Sequence, residues 1–303
     1  MSGVIGRFAP SPSGRMHLGN VFSFLAAWLL SRSQGGSVVL RIEDLDPVRT
    51  SREYASLCMD DLQWLGLAWD GAPVFQSERT DAYLEAFERL RKDGFVYPCY
   101  CSRSDWHAAA APHAGDHIVY PGTCRHLTAE QRAQRESLRK PAWRFDVGEG
   151  TVCIDDLFQG RHAYSMQEDC GDCIIRRADD VFAYQLAVVV DDAYQSVTQV
   201  CRGFDLLDSA ATQRRIQDAL CLPWVEYAHV PVLRASDGRR LAKRDADMDM
   251  GVLRERFREP EYLYGYLCRL VGLRKDDSPV GLDELVESFE VSWFDASDIV
   301  IDL

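Results

Sequence analysis

The chain has too few basic residues to bind nucleic acid by bulk charge. Its 34 Lys and Arg stand against 47 Asp and Glu, a formal net charge of −13. Phosphate contacts come from Lys and Arg, and their number sets non-specific affinity. A general polyanion binder is therefore excluded, and any nucleic acid has to be met by a local patch. Residues 1–11 hold no long apolar stretch of signal-peptide type, and nowhere do apolar residues run on for the roughly 18 a membrane span needs. A cytoplasmic protein without a membrane partner is the expectation. No internal repeat occurs, and no low-complexity tract beyond the alanines at 108–111. At 47% hydrophobic and 27% charged over 303 residues, the chain can bury one large or two smaller cores, which excludes disorder. Its ten cysteines lack the context of an exported protein, so reduced thiols and one metal site are favoured over disulfides.

Residues 4–8 predict a short buried strand. A Pro/Ser/Gly loop follows, then a helix with Val21, Phe22, Leu25 and Leu29 on one face, ending near Gly35 and Gly36. Residues 37–42 read as a second strand, completing a β-α-β unit whose strands lie parallel. Thr50 and Glu53 form a capping-box pattern that predicts a helix start at Thr50, with Tyr54, Leu57, Cys58, Leu62 and Leu65 as its buried stripe. A further amphipathic helix spans 81–92. From about 95 the texture turns to Cys, His, Tyr, Pro and Gly, followed by a charged helix from Thr128 and strand-like segments at 142–147, 151–154 and 173–177. Strand and helix then alternate again at 196–201 and 205–220, and short helices follow Gly251. The expected fold is α/β: a Rossmann-type parallel sheet in two halves, 1–95 and 179–245, split by an α+β insertion at 96–178, with a small helical region at 246–303.

The loop after the first strand runs PSPSGRMHLGN, from Pro10 to Asn20. A loop at the carboxyl end of a parallel strand lines the ligand crevice, and the helix start behind it offers N–H groups to phosphate. Gly14 and Gly19 permit close approach, and His17 can donate to phosphate oxygens. Alone, such a loop is only suggestive, since glycine-rich turns with a histidine are usually structural. It is followed, in order, by LRIEDLDPVR, YQLAVVVDD, VCRGFDLLDSAATQ and RRLAKRD. Together these five segments resemble the glutamyl-tRNA synthetases, class I aminoacyl-tRNA synthetases, from Gly6 to about Asp245. The resemblance implies an enzyme of the aminoacyl-tRNA synthetase type, an ATP-dependent ligase. His17-Leu18-Gly19-Asn20 matches the family's HIGH signature and Arg240-Leu241-Ala242-Lys243-Arg244 its KMSKS loop. By that resemblance Pro10, Ser11, Gly14, His17, Gly19, Asn20, Arg240, Leu241, Lys243 and Arg244 bind ATP, and His17 and Lys243 are catalytic. Mg2+ is expected with the ATP phosphates. The loop departs from the signature at Arg240, where the family has Lys, and at Ala242, where it has Ser.

The resemblance also implies a glutamate pocket: Arg7, Ala9 and Ser11 hold the substrate, Glu43 its ammonium, and Tyr184 and Arg202 complete the site. An Arg can grip a carboxylate bidentately, and a buried Arg left unpaired penalises substrates without that group.

Cys99, Cys101 and Cys124 have a spacing that can supply thiolates to one structural Zn2+, which wants four ligands. His107, His113 and His117 are chemically natural fourth ligands. The glutamyl-queuosine branch of the family, which the chain resembles most, instead implies Tyr120 through a Y-x-x-x-C pattern. The lone pair Cys170 and Cys173 reads as incidental thiols. Residues 245–303 are too few for the helical anticodon-binding region of a full glutamyl-tRNA synthetase. The expected activity is therefore that of the branch: tRNA-independent formation of glutamyl-adenylate from L-glutamate and ATP, then transfer to the queuosine base at the wobble position of tRNA(Asp), by a monomer. Charging the 3′ end of tRNA(Glu), or non-catalytic binding of glutamate or nucleotide, are the alternatives. Basic residues cluster at Arg132, Arg135, Arg139, Lys140 and Arg144, and again at Arg239, Arg240, Lys243 and Arg244. The first cluster reads equally as a solvated helix face or as an RNA contact, and Arg139, Lys140 and Arg144 are the residues expected to line the RNA path.

Overall fold

The computed structural model describes residues 3–102, 119–235, 248–294 and 298–301. Strand β1 (Ile5–Phe8), helix α1 (Leu18–Arg32) and strand β2 (Ser37–Ile42) form the expected unit, and β3 (Val74–Phe75) extends it in the parallel order β1-β2-β3. A four-stranded sheet ordered β7-β6-β10-β9 abuts it, built from β6 (Thr151–Asp156), β7 (Gly160–Ser165), β9 (Gln199–Gly203) and β10 (Glu226–Val230). Thr198 joins the two edges: its N–H donates to Ile5 O at 2.9 Å and its Oγ1 accepts from Ile5 N–H at 2.9 Å. Chain order therefore runs outward from β1 on one side and returns on the other. The crevice at such a reversal is where open α/β sheets bind ligands.

Residues 96–178, read as one insertion, do two different things. Strands β4 (Val96–Cys99), β5 (Ala142–Phe145) and β8 (Cys173–Arg176) form a separate antiparallel sheet. The hairpin β6–β7 instead joins the large sheet through a parallel pairing of Asp156 with Tyr227 on β10. The charged helix is α4 (Ala129–Glu136), capped by Thr128 and with no buried residue.

Helix α2 (Arg52–Trp64) starts one residue later than Thr50 and Glu53 predict. Ser51 is the cap, its Oγ accepting from Tyr54 N–H, while Thr50 Oγ1 donates to Asp46 O and is spent on the preceding turn. Helices α3 (Thr80–Lys92), α5 (Tyr184–Tyr194) and α6 (Leu207–Leu220) pack on one face of the sheet, and the short C-terminal helices α7 (Met250–Phe257), α8 (Pro260–Leu270) and α9 (Leu282–Ser288) join α1 in the core on the other.

The strands alternate between these two cores as period-2 geometry requires. Val38, Leu40 and Ile42 enter the α1 core while Val39 meets the α3–α5–α6 core, and Ala228 and Val230 divide from Tyr227 in the same way. Arg7, Arg41 and Arg202 take positions on the α5 side, where each is at most 6% exposed. Three arginines inside apolar strands need partners, and α5 supplies a carboxylate to two of them, Arg7 and Arg41.

Candidate active site and cysteine cluster

The last turn of helix α5 carries Asp191 and Asp192, both buried. Asp192 Oδ1 lies 3.0 Å from Arg7 Nε and accepts from Arg41 Nη1 at 2.7 Å, and Arg41 Nη2 donates to Glu43 Oε1 at 3.3 Å. Burial alone would lower Arg41, but Asp192, Glu43 and Asp191 together raise it, so the guanidinium stays charged. Burial pushes Glu43 above the ordinary carboxylate range even though Arg41 and Arg7 oppose the shift. Such a carboxyl gains most from a cation brought to it.

Arg202 is held differently. Its Nε–H donates to His229 Nε2 at 3.0 Å, Nη1 to Tyr184 OH at 3.0 Å and Gln213 Oε1 at 2.9 Å, and Nη2 to Leu206 O at 3.0 Å. All four acceptors are neutral, and among the described residues no carboxylate ion-pairs with it. Asp192 acts on it only through space, so the buried guanidinium keeps charge that an incoming anion can meet directly.

His17 caps α1. Its Nδ1 accepts from Gly19 N–H at 3.1 Å, and Asn20 Oδ1 accepts from His17 N–H at 3.1 Å. A neutral ring whose Nδ1 accepts must carry its proton on Nε2, so the helix cap makes Nε2 a donor. A Cβ on residue 19 would sit 3.0 Å from the His17 ring, which is why a glycine belongs there.

Arg7, Ala9, Pro10, Ser11, Gly14, His17, Gly19, Asn20, Glu43, Tyr184 and Arg202 line one cavity of about 440 Å³ at the carboxyl ends of β1, β2, β9 and β10. A volume of that order suits a small ligand. Arg239, Arg240, Leu241, Lys243 and Arg244 lie outside the described residues, as do His107, His113 and His117. The flanks of the first group are nonetheless placed. Leu233 lines the cavity on one side, and on the other Asp249 bridges to His17 while Met250 N–H donates to Met16 O at 2.8 Å.

The sulfurs of Cys99, Cys101 and Cys124 lie within 4.8 Å of one another and could hold a metal ion. Cys101 and Cys124 are 3.6 Å apart, and Tyr120 OH is 3.4 Å from Cys99 and 3.7 Å from Cys101. A tetrahedron with metal–sulfur bonds of about 2.3 Å has edges of roughly 3.8 Å, close to these three separations. Arg144, expected to face RNA, is buried here: Nε donates to Cys99 Sγ at 3.3 Å and the guanidinium stacks 3.6 Å from the Tyr120 ring. Lys140 is paired with Asp180. Arg135 and Arg139 remain exposed on and beside α4. Cys170 and Cys173 are free thiols, which burial pushes up to about 11 and about 12.

Arg41, Asp191, Asp192, Asp156 and His229 were not singled out by sequence. Their signals were an arginine inside an apolar strand and two acids closing an apolar helix. Asp156 and His229 gave none, because their meeting depends on a strand pairing.

Comparison with known proteins agrees with this architecture. A family described as "tRNA synthetases class I (E and Q), catalytic domain" matches residues 3–300. A glutamyl-Q tRNA(Asp) synthetase of Symbiobacterium thermophilum is 43% identical over 301 residues, covering 95% of this chain and 93% of its own length. Its namesake from Nitratidesulfovibrio vulgaris is 44% identical over 287 residues, 91% and 89% of the two chains. The crystal structure of glutamate-tRNA synthetase from Elizabethkingia anophelis shares the fold with a TM-score of 0.83 at 24% identity, covering 99% of this chain and 68% of that one. With its Rossmann-like sheet and the ligand crevice at the reversal of strand order, the chain belongs to the class I tRNA synthetases of the E and Q type, through their catalytic domain.

Proposed function

We propose that this protein activates L-glutamate with ATP and transfers the glutamyl group to queuosine in tRNA(Asp), the activity for which its relatives are named. The observation that carries the choice of acid is Arg202, a buried cation whose hydrogen-bond partners are all neutral. It would take the side-chain carboxylate, with Tyr184 beside it; Arg7, Ala9 and Ser11 would hold the rest of the substrate, and Glu43 its ammonium. The α-carboxylate then attacks the α-phosphate of ATP, the bond to the bridging oxygen breaks, and pyrophosphate leaves. Charge grows on the phosphate oxygens during this step. His17 Nε2–H and the Lys243 ammonium would donate there, while Pro10, Gly14, Gly19 and Asn20 leave room for the nucleotide at the helix start and Arg240, Leu241 and Arg244 cover it. Mg2+ bound to the phosphates would neutralise part of their charge. A hydroxyl of the queuosine cyclopentene ring next attacks the adenylate carbonyl, and AMP departs.

Labelled glutamate should reach tRNA(Asp) that carries queuosine and not the same tRNA without it. Equal labelling of both, or of neither, rejects the assignment. Pyrophosphate exchange should need glutamate and ATP but no tRNA.

A Zn2+ held by Cys99, Cys101, Cys124 and Tyr120 would be structural, pinning β4 to the segment that precedes α4. Elemental analysis is expected to find one zinc per chain in the wild type and none in Cys99→Ser; a metal-free wild type rejects the site.

A further inference from the structure

Arg202 is the cation on which the proposed pocket turns, and two residues behind it decide how it is held. His229 on β10 is fully buried, and its Nδ1 lies 2.5 Å from Asp156 Oδ2 on the neighbouring strand β6. Asp156 is itself fixed, because its Oδ1 accepts backbone N–H groups from His229, Phe158 and Gln159, each at 3.0 Å. An ionised carboxylate only accepts, so the proton of this contact sits on His229 Nδ1. The lone pair is thereby left on Nε2, where Arg202 Nε–H donates at 3.0 Å. Burial pushes His229 below the ordinary histidine range, although Asp156 opposes the shift, and a neutral ring is what the geometry requires.

We propose that Asp156 and His229 are positioning residues that fix the tautomer seen by Arg202 and so orient its guanidinium without cancelling its charge. The inference rests on the glutamate-binding role of Arg202. A carboxylate in the place of His229 would satisfy the same N–H, but it would neutralise the cation that the substrate must find. A histidine with no orienting acid could present Nε2–H to Nε–H, donor to donor. The Asp156–His229 pair avoids both outcomes.

Asp156→Asn tests the claim. Its Oδ1 would stay with the three backbone N–H groups, so its amide would donate to His229 Nδ1 and move the ring proton to Nε2. In glutamate-dependent pyrophosphate exchange the glutamate KM should rise about tenfold, the cost of one misdirected buried hydrogen bond, with the ATP KM and kcat near wild type. Inhibition by glutamine, which lacks the side-chain charge, should be unchanged. Parallel loss of glutamate, glutamine and ATP binding would mark a merely structural role and overturn the proposal, as would an unaltered glutamate KM. Should the variant fail to fold, nitrogen NMR of the wild type at neutral pH still decides: His229 must be the neutral Nδ1–H tautomer, and a protonated ring or an Nε2–H tautomer rejects it. Arg202→Ala separates this inference from the pocket assignment. A wild-type glutamate KM in that variant sinks the pocket; a raised KM there with an unchanged one in Asp156→Asn sinks the positioning role alone.

Discussion

Replacing Asp191 with alanine should unfold the protein at a temperature lower by on the order of 10 °C, the counterpart of a loss of about 3–5 kcal/mol. Asp191 is fully buried, and it accepts from Arg79 Nε at 2.6 Å, Gln76 Nε2 at 2.8 Å and Tyr83 OH at 2.7 Å, with Arg41 Nε 3.9 Å away. The three donors come from α3 and the turn before it, and the ion pair with Arg41 reaches β2, so one carboxylate ties all three to α5. Truncation strands Gln76 and Tyr83 without an acceptor and leaves Arg41 and Arg79 short of one negative charge inside the protein. Breaking a buried pair on one side is costly for that reason, whereas replacing all partners together need not be. Asp191→Asn keeps one acceptor oxygen but turns an amide donor toward the remaining donors, so it should fall between. A thermal melt checks both variants. A midpoint for Asp191→Ala within about 2 °C of wild type would show that the network relaxes without cost, contrary to the burial argument.

The same network shows how much of the molecule could be read from sequence. Local signals were legible: the second strand, 37–42, was bounded as it stands in β2, and the loop from Pro10 to Asn20 was placed at a helix start. Thr50 lost the cap to Ser51, whose hydroxyl caps without the glutamate of a capping box, because the turn at Asp46 engages the Thr50 hydroxyl first. What could not be read depends on register between distant strands. Texture grouped 96–178 together, yet the single pairing of Asp156 with Tyr227 draws β6 and β7 onto the large sheet and sets Asp156 beside His229. Arg144 looked like one basic residue among several near α4. Its burial against Cys99 and Tyr120 follows from β5 lying between β4 and β8. Eleven residues proposed for glutamate and ATP surround one cavity, because they occupy the carboxyl ends of strands whose parallel order the β-α-β pattern already implies.

His17 has two duties that substitution can separate. As the cap of α1 it accepts from Gly19 N–H through Nδ1, and in the proposed reaction it donates to a phosphate oxygen through Nε2. His17→Ala removes both, and should lose about 1 kcal/mol of stability with the cap and roughly 10²- to 10³-fold in the kcat of pyrophosphate exchange with the donor. Asn places a side-chain oxygen near the position of Nδ1 but has nothing that reaches as far as Nε2. His17→Asn should therefore melt close to wild type while remaining as slow as His17→Ala, with the glutamate KM changed little in either, since the hydrogen bonds His17 makes at the helix cap involve neither Arg202 nor Glu43. A rate restored along with the stability would show that the helix cap is the whole contribution of His17, and the transition-state role would then pass to Lys243 and the backbone N–H groups at the start of α1. A rate that stays low in a well-folded His17→Asn leaves the Nε2 proton as the group the reaction has lost.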